Sequence, residues 1–205
     1  MATVTIFGKG SMGEAIGSNF VDAGNEVNFV ASSESDKVNS IGEIVVLAVP
    51  YPTVEGILAT YADELDGKTI IDITNPVNFD TFDDLVVPAD SSAAEVISNK
   101  GGTDKVVKGF NTTFASTLAT KQVASEHQTT VLLASDDSEA KQQVTDALDG
   151  SGLAVIDAGS LKRARELEAL GFLHISLAAV EKISCGDDIR FCNFNFLASK
   201  YEEKE

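Results

Sequence analysis

Apolar and polar positions along this chain fall into short blocks whose period switches repeatedly between that of a strand and that of a helix. Ala2 to Phe7 is a short apolar run, Glu14 to Ala23 has helical spacing closed by Gly24, and Glu26 to Val30 reads as a second strand. Ile44 to Val49 is continuously apolar, the pattern of a strand buried on both faces. Thr53 to Leu65 puts Val54, Ile57, Leu58, Tyr61 and Leu65 on one helical face, and Gly67 ends it. Thr69 to Ile73 predicts another buried strand. Ala93 to Lys100 predicts a short helix capped by Ser91 and Ser92, and Lys105 to Gly109 a further strand. Val131 to Ala134 and Leu153 to Ile156 are strands around a helix at Glu139 to Leu148. Leu161 to Ile183 is the longest helical pattern, apolar on more than one face. Ile189 to Leu197 alternates Cys192, Phe194 and Phe196 as a terminal strand.

Val77 to Pro88 is irregular and acidic; elsewhere strands and helices alternate. The expected fold is therefore α/β, with a doubly wound, mostly parallel sheet. Only thirteen residues, Ala31 to Glu43, separate the second strand from the third. A helix, a further strand and a return helix do not fit there, so the edge strand after the second strand is expected to be missing. Residues 1–160 form the main domain in this reading, and 161–205 a C-terminal helix and strand packed on it.

Between the first strand and the first helix stands Gly8-Lys9-Gly10-Ser11-Met12-Gly13. A glycine triplet in that context is the fingerprint of a Rossmann-type dinucleotide-binding fold. Gly8 allows the tight turn, Gly10 lets a pyrophosphate approach the backbone, and Gly13 lets helix and strand pack closely. The helix N-terminus then offers N–H groups and a positive dipole end to the phosphates. The loops at the C-terminal ends of the next strands, Val49-Pro50-Tyr51 and Thr74-Asn75-Pro76, lie at the edge that carries the ligand crevice in such sheets, and Asn75 has both a donor and an acceptor for a ribose or carboxamide.

Composition narrows the partners. The 205 residues include 43% hydrophobic ones, enough for a real core. The net charge of −17 argues against a nucleic-acid partner and makes a cation beside the glycine loop notable. No apolar run reaches the roughly 18 residues that a membrane span needs, and the N-terminus lacks a signal pattern, so a cytoplasmic protein is expected. Cys185 and Cys192 are too few for a disulfide framework or a four-ligand zinc site.

The second strand is followed by Ala31 and Ser32, where an NAD-binding protein usually places a carboxylate for the ribose 2′-OH. Ser32, Ser33 and Lys37 suit a 2′-phosphate and favour NADP, while Glu34 remains within reach of a ribose if the strand ends later. No Ser-His-Asp set, carboxylate dyad or metal cluster stands out. Lys108, Tyr51 and His174 are the only candidates for a proton donor. His174, inside an apolar stretch, reads first as a core residue, and His127 in a polar loop carries no signal. Arg165 and Glu168, three apart, read as a surface pair.

Five stretches resemble the NADPH-dependent deazaflavin-coenzyme (F-420) reductase family, taken broadly to include the reductase domains of membrane ferric reductases. They are the Gly8–Gly13 loop, Leu47-Ala48-Val49-Pro50, Ile71-Asp72-Ile73-Thr74-Asn75-Pro76, Val106-Val107-Lys108-Gly109-Phe110-Asn111-Thr112, and Asp157-Ala158-Gly159-Ser160-Leu161 with Ala164-Arg165-Glu166-Leu167-Glu168. The resemblance implies an NADP site at the glycine loop, at Ser32, Ser33 and Lys37, and at the Val49–Tyr51 and Thr74–Pro76 loops. It also implies an acceptor site near Phe110, Asn111 and Thr112, with His174 close by, and a homodimer. Two departures stand out: the segment between the second and third strands is shorter than in the family, and Ser33 stands where the family usually has arginine. The activity implied is hydride transfer between NADPH and a flavin-like, deazaflavin or other small acceptor, in which the protein contributes positioning. The alternative is a non-catalytic NADP(H)-binding regulatory module.

Overall fold

A computed structural model describes residues 1–31, 40–184 and 186. The chain opens with strand β1 (Thr3–Phe7), helix α1 (Ser11–Asp22) and strand β2 (Glu26–Val30). Next come β3 (Ile44–Leu47), α2 (Tyr51–Thr60), α3 (Ala62–Leu65), β4 (Thr69–Asp72), α4 (Ala93–Gly101) and β5 (Val106–Lys108). Helix α5 (Ala115–Thr120) leads into a small hairpin of β6 (Gln122–Val123) and β7 (His127–Gln128). The chain then forms β8 (Thr130–Ala134), α6 (Ser138–Leu148), β9 (Ala154–Gly159), a 3-10 turn at Leu161–Arg163, and α7 (Ala164–Ala179).

Seven strands make one sheet in the order β2-β1-β3-β4-β5-β8-β9. Every pairing in it is parallel except β5 with β8, which meet antiparallel at their C-terminal ends, Lys108 opposite Ala134. Ser135 extends that short contact by donating its hydroxyl to the Val106 carbonyl at 2.7 Å. The mostly parallel sheet expected from the sequence is present, and β2 lies at its edge among the described residues.

The continuous apolar runs are explained by helices on both faces. Val4, Ile6, Ile44, Val46, Ile71 and Val107 point to one side, against Ile16 and Phe20 of α1, Leu118 of α5 and Val144 of α6. The alternate residues Phe7, Val45, Leu47, Ile70 and Val106 point to the other, against α2, α4 and the start of α7. A strand buried on both faces has no polar position to give, which is why these segments do not alternate in sequence.

Several elements differ from the periodicity, among them the strand expected at Leu153–Ile156, which runs on to Gly159. The helix expected over 53–65 breaks at Tyr61, whose backbone leaves helical geometry (φ −113°, ψ 24°) as its ring packs edge-on against Phe7 at 5.0 Å. The helix expected over 161–183 begins as a 3-10 turn and becomes α-helical only over Ala164–Ala179. Helix α5 and the β6–β7 hairpin were not anticipated, because a six-residue element shows less than two helical turns of pattern. The terminal strand expected at Ile189–Leu197, with Phe191, Phe194 and Phe196, lies outside the described residues, as do Cys185 and Cys192.

A candidate dinucleotide site

The glycine loop joins β1 to α1 at the C-terminal edge of the sheet. Gly8 has φ +105°, and a Cβ there would lie 2.1 Å from the Ala48 carbonyl oxygen, so both the backbone angle and the neighbouring strand demand glycine. Its amide donates to the Val30 carbonyl at 2.9 Å, tying the loop to the end of β2. A Cβ on Gly13 would meet the Gly8 carbonyl oxygen at 2.2 Å, so the first turn of α1 sits directly on the loop. Gly10 differs: a Cβ there would meet no atom within 4 Å, because the space beyond it is an open cleft. Gly10 is also the N-cap of α1 and makes no side-chain capping bond, so the helix presents its N-terminal end to that cleft. Ser11, Met12 and Gly13 form this first turn.

The cleft has a volume of about 820 Å³ and runs between the loop (Gly8, Lys9, Gly10), Ala31 after β2, and Val49 and Pro50 after β3. Backbone donors at a helix end, a lysine and an apolar floor suit a dinucleotide with its pyrophosphate at Gly10. The Lys9 ammonium stands 5.9 Å from the centre of the Phe29 ring. Ser32, Ser33 and Lys37 lie outside the described residues. Tyr51 opens α2 beside the cleft, with Pro50 as its N-cap. Burial pushes its phenol above the ordinary value; Lys100 opposes this, while Glu168, Asp72 and Glu55 add to it.

The Thr74–Pro76 loop at the end of β4 is joined to the segment after β5. Asn75 donates its amide to the Asn111 carbonyl at 2.9 Å, and Asn111 returns its own amide to Asn75 Oδ1 at 2.9 Å. Asn111 also donates to the Leu167 carbonyl of α7 at 2.9 Å. Gly171 brings α7 close enough that a Cβ there would lie 2.4 Å from Asn75 Oδ1. The Asn75 amide, expected to face a ribose or carboxamide, is thus engaged in clamping β4, β5 and α7 together. Thr74 Oγ1 and Asn111 Oδ1 are buried without a hydrogen-bond partner. Thr112 is also buried.

Two side chains expected at the acceptor site face elsewhere. Phe110 is fully buried and packs against Phe20, with ring centres 6.3 Å apart, while its backbone turns through φ +62°. Asn111, the next residue, is the one bonded to the strand-end loop, through Asn75. His174 is buried on α7 with its ring 4.8 Å from that of Phe114, the core placement its apolar surroundings suggested.

Beneath these loops lies a cluster that the motifs did not reveal. Lys108, at the end of β5, is fully buried, and its ammonium contacts Asp72 Oδ2 at 2.8 Å, Glu168 Oε1 at 2.8 Å and the Thr74 carbonyl at 2.5 Å. Asp72 Oδ1 accepts from the Thr74 amide at 2.8 Å. Glu168 accepts from the amides of Ala93 at 2.8 Å and Ala94 at 3.3 Å, at the start of α4. The surface pair expected between Arg165 and Glu168 does not form: Glu168 turns inward to Lys108, and Arg165 bonds Glu166 at 3.0 Å. Burial works against the Lys108 charge, but the two carboxylates overcome it and hold its pKa above the ordinary value. Glu168 is also raised, by burial first, with Asp72 adding to it and Lys108 opposing. A clue was present in sequence, since Asp72 and Lys108 each interrupt an apolar strand.

The fold and the glycine cradle define a Rossmann-type dinucleotide-binding protein. No family model matches the chain. It is 29% identical over 174 residues to the F420-dependent NADP reductase of Methanocaldococcus jannaschii, a match spanning 83% of this chain and 76% of that protein. A crystal structure from Arthrobacter sp. FB24, of a protein proposed to be an F420-dependent NADP reductase, superposes with a TM-score of 0.78 at 22% identity, over 94% of this chain and all of the other. Pyrroline carboxylate reductase of Plasmodium falciparum with NADP bound shares the fold at a TM-score of 0.56 and 16% identity, over 90% of this chain and 71% of the other. The resemblance to the deazaflavin-coenzyme reductases carried by the five sequence stretches therefore holds over most of the chain.

Proposed function

We propose that this protein is an NADP-dependent oxidoreductase passing hydride between NADPH and a small planar acceptor, a flavin or deazaflavin. The observation that carries the reading is the Gly8–Gly10–Gly13 cradle, in which Gly8 and Gly13 are sterically required while Gly10 alone faces open space. The sequence relationship to an F420-dependent NADP reductase supports the choice of cofactor and of chemistry.

In this reading the N–H groups at the start of α1 and Lys9 hold the pyrophosphate, Ser32, Ser33 and Lys37 hold the 2′-phosphate, and Val49–Tyr51 with Thr74–Pro76 flank the nicotinamide. When bound, the cofactor supplies the hydride. The chain aligns the two rings, and the acceptor lies against the segment of Asn111 and Thr112, beside α7. Lys108 is not a proton donor, because both carboxylates and the Thr74 carbonyl already engage its ammonium. Transfer between two rings needs close stacking rather than an acid at the reacting carbon.

The test is steady oxidation of NADPH with a panel of flavin, deazaflavin, quinone and ferric acceptors, beside titrations of NADPH and NADH. Turnover with a ring acceptor and tighter binding of NADPH are expected. Tight NADPH binding without turnover on any acceptor would leave a cofactor-sensing module, and equal affinity for NADH would overturn the roles of Ser32, Ser33 and Lys37.

We also propose a cytoplasmic homodimer. Among the described residues no helix is long and apolar enough to cross a membrane. Leu173 on α7 and Val180, the residue that caps its C-terminus, are more than half exposed and stand three residues before and four after Ser176. The Ser176 hydroxyl donates to the Phe82 carbonyl at 3.3 Å, which brings the exposed Phe79–Phe82 ring pair beside this part of α7. A Leu173→Glu/Val180→Glu protein is expected to sediment as a monomer where the wild type is a dimer; a wild-type monomer would remove the assignment.

A further inference from the structure

The Asp72–Lys108–Glu168 cluster holds two carboxylates and one ammonium out of water. With both carboxylates ionised its sum is one negative charge. The N-terminus of α4, whose Ala93 and Ala94 amides point at Glu168, offsets this by about half a charge. The remainder is negative and buried, where solvent screens it little.

Its position gives that charge a target. Asp72 and Lys108 are the last residues of β4 and β5, and both bond directly to Thr74, the first residue of the loop read above as flanking the nicotinamide. Asp72 also pairs with Leu47, the last residue of β3, just before the other flanking loop at Val49–Tyr51. The cluster thus lies under both loops at the carboxyl edge of the sheet. The two states of the cofactor differ in charge at that point: the oxidised ring carries one positive charge and the reduced ring none.

We propose that the buried Asp72–Lys108–Glu168 cluster biases bound cofactor toward its oxidised, positively charged ring and so strengthens NADPH as a hydride donor. The inference rests on the NADP reading of the glycine cradle. Asp72, Lys108 and Glu168 act here as positioning residues through charge and touch neither reacting ring. The hydride takes both electrons of the broken C–H bond to the acceptor, where the new bond forms. The acceptor's added negative charge is met by a proton from solvent, and the positive charge stays on the ring above the cluster.

The test compares the affinities of NADP+ and NADPH by calorimetric titration of the full-length protein. Glu168→Gln and Asp72→Asn each remove the excess charge. Each is expected to weaken NADP+ relative to NADPH by roughly three- to tenfold, the scale of one partly screened charge at close range. Glu168→Asp keeps the charge and is expected to keep the wild-type ratio within twofold. A cluster that only braces the fold would weaken both nucleotides equally in all three variants, and an unchanged ratio in whichever neutral variant folds overturns the proposal. Failure of the wild type to bind either nucleotide would instead reject the NADP reading itself.

Discussion

A Gly10→Val protein is expected to fold like the wild type and to lose its nucleotide. The backbone at Gly10 is extended, at φ −85° and ψ 180°, which valine adopts without strain. A Cβ there meets no atom within 4 Å among the described residues, so the branch point of the new side chain enters open space. The same space is where a pyrophosphate would approach the amides that open α1. The expected loss in NADPH affinity is about 100-fold or more, some 2.7 kcal/mol or greater, with the melting temperature essentially unchanged. Fluorescence titration of NADPH beside a thermal melt reads both quantities. Retained affinity would remove the central claim about the site. The neighbouring glycines sharpen the comparison. Gly8→Ala combines a forbidden φ with a clash against Ala48, and Gly13→Ala drives a methyl into the Gly8 carbonyl, so both act on folding first. Of the three glycines, only Gly10 separates binding from stability.

Lys108→Met is expected to give the largest stability loss of any single substitution considered. It leaves Asp72 and Glu168 buried without their shared cation. Breaking a buried ion pair from one side costs about 3–5 kcal/mol, against a total stability of about 5–15 kcal/mol for an ordinary domain. Urea denaturation measures the difference. The pH dependence follows from the direction of the shift. Glu168 is already raised in the folded wild type, chiefly by burial, so folding favours its protonated form. That contribution is full below the ordinary glutamate value and is lost as pH rises through the raised one. Without Lys108 the opposition to that rise disappears, so the deficit of Lys108→Met should shrink as pH falls from 8 toward 5. A loss under about 1 kcal/mol at pH 8 would mean that both carboxylates re-pair or reach water, against the burial seen here.

These two substitutions mark what was and was not legible beforehand. The glycine cradle was readable because its parts are contiguous: β1, the loop, α1 and β2 fall within the first 30 residues, and each glycine's role follows from the local turn. The doubly wound sheet was readable for a similar reason, since a strand covered on both faces must be apolar at every position. The position of Gly8 under Ala48 was not readable, because β3 arrives beside β1 only in the folded sheet.

The acceptor side was harder to foresee, and the residues show why. Asn75 looked like a free polar group at a strand end, yet its amide is closed against Asn111 by a pair of bonds between residues 36 apart in sequence. Phe110 looked like part of an acceptor surface, but a positive φ turns its ring into the core beside Phe20. Arg165 and Glu168 have the spacing of a helical surface pair, but helical spacing says nothing of which face meets the sheet. Glu168 turned out to be the inward partner.

The residue pattern alone therefore settled the α/β architecture, the glycine-lined turn and the cleft-facing helix end, all consequences of local backbone geometry and of strand burial. Folding decided the rest: that Asp72, Lys108 and Glu168 share one buried site, that Asn75 clasps Asn111, and that Gly171 lets α7 lie against both. Those contacts join β4, β5 and α7 across long stretches of chain. Their energy comes from removing charges and amides from water together, a term that exists only once the elements have met.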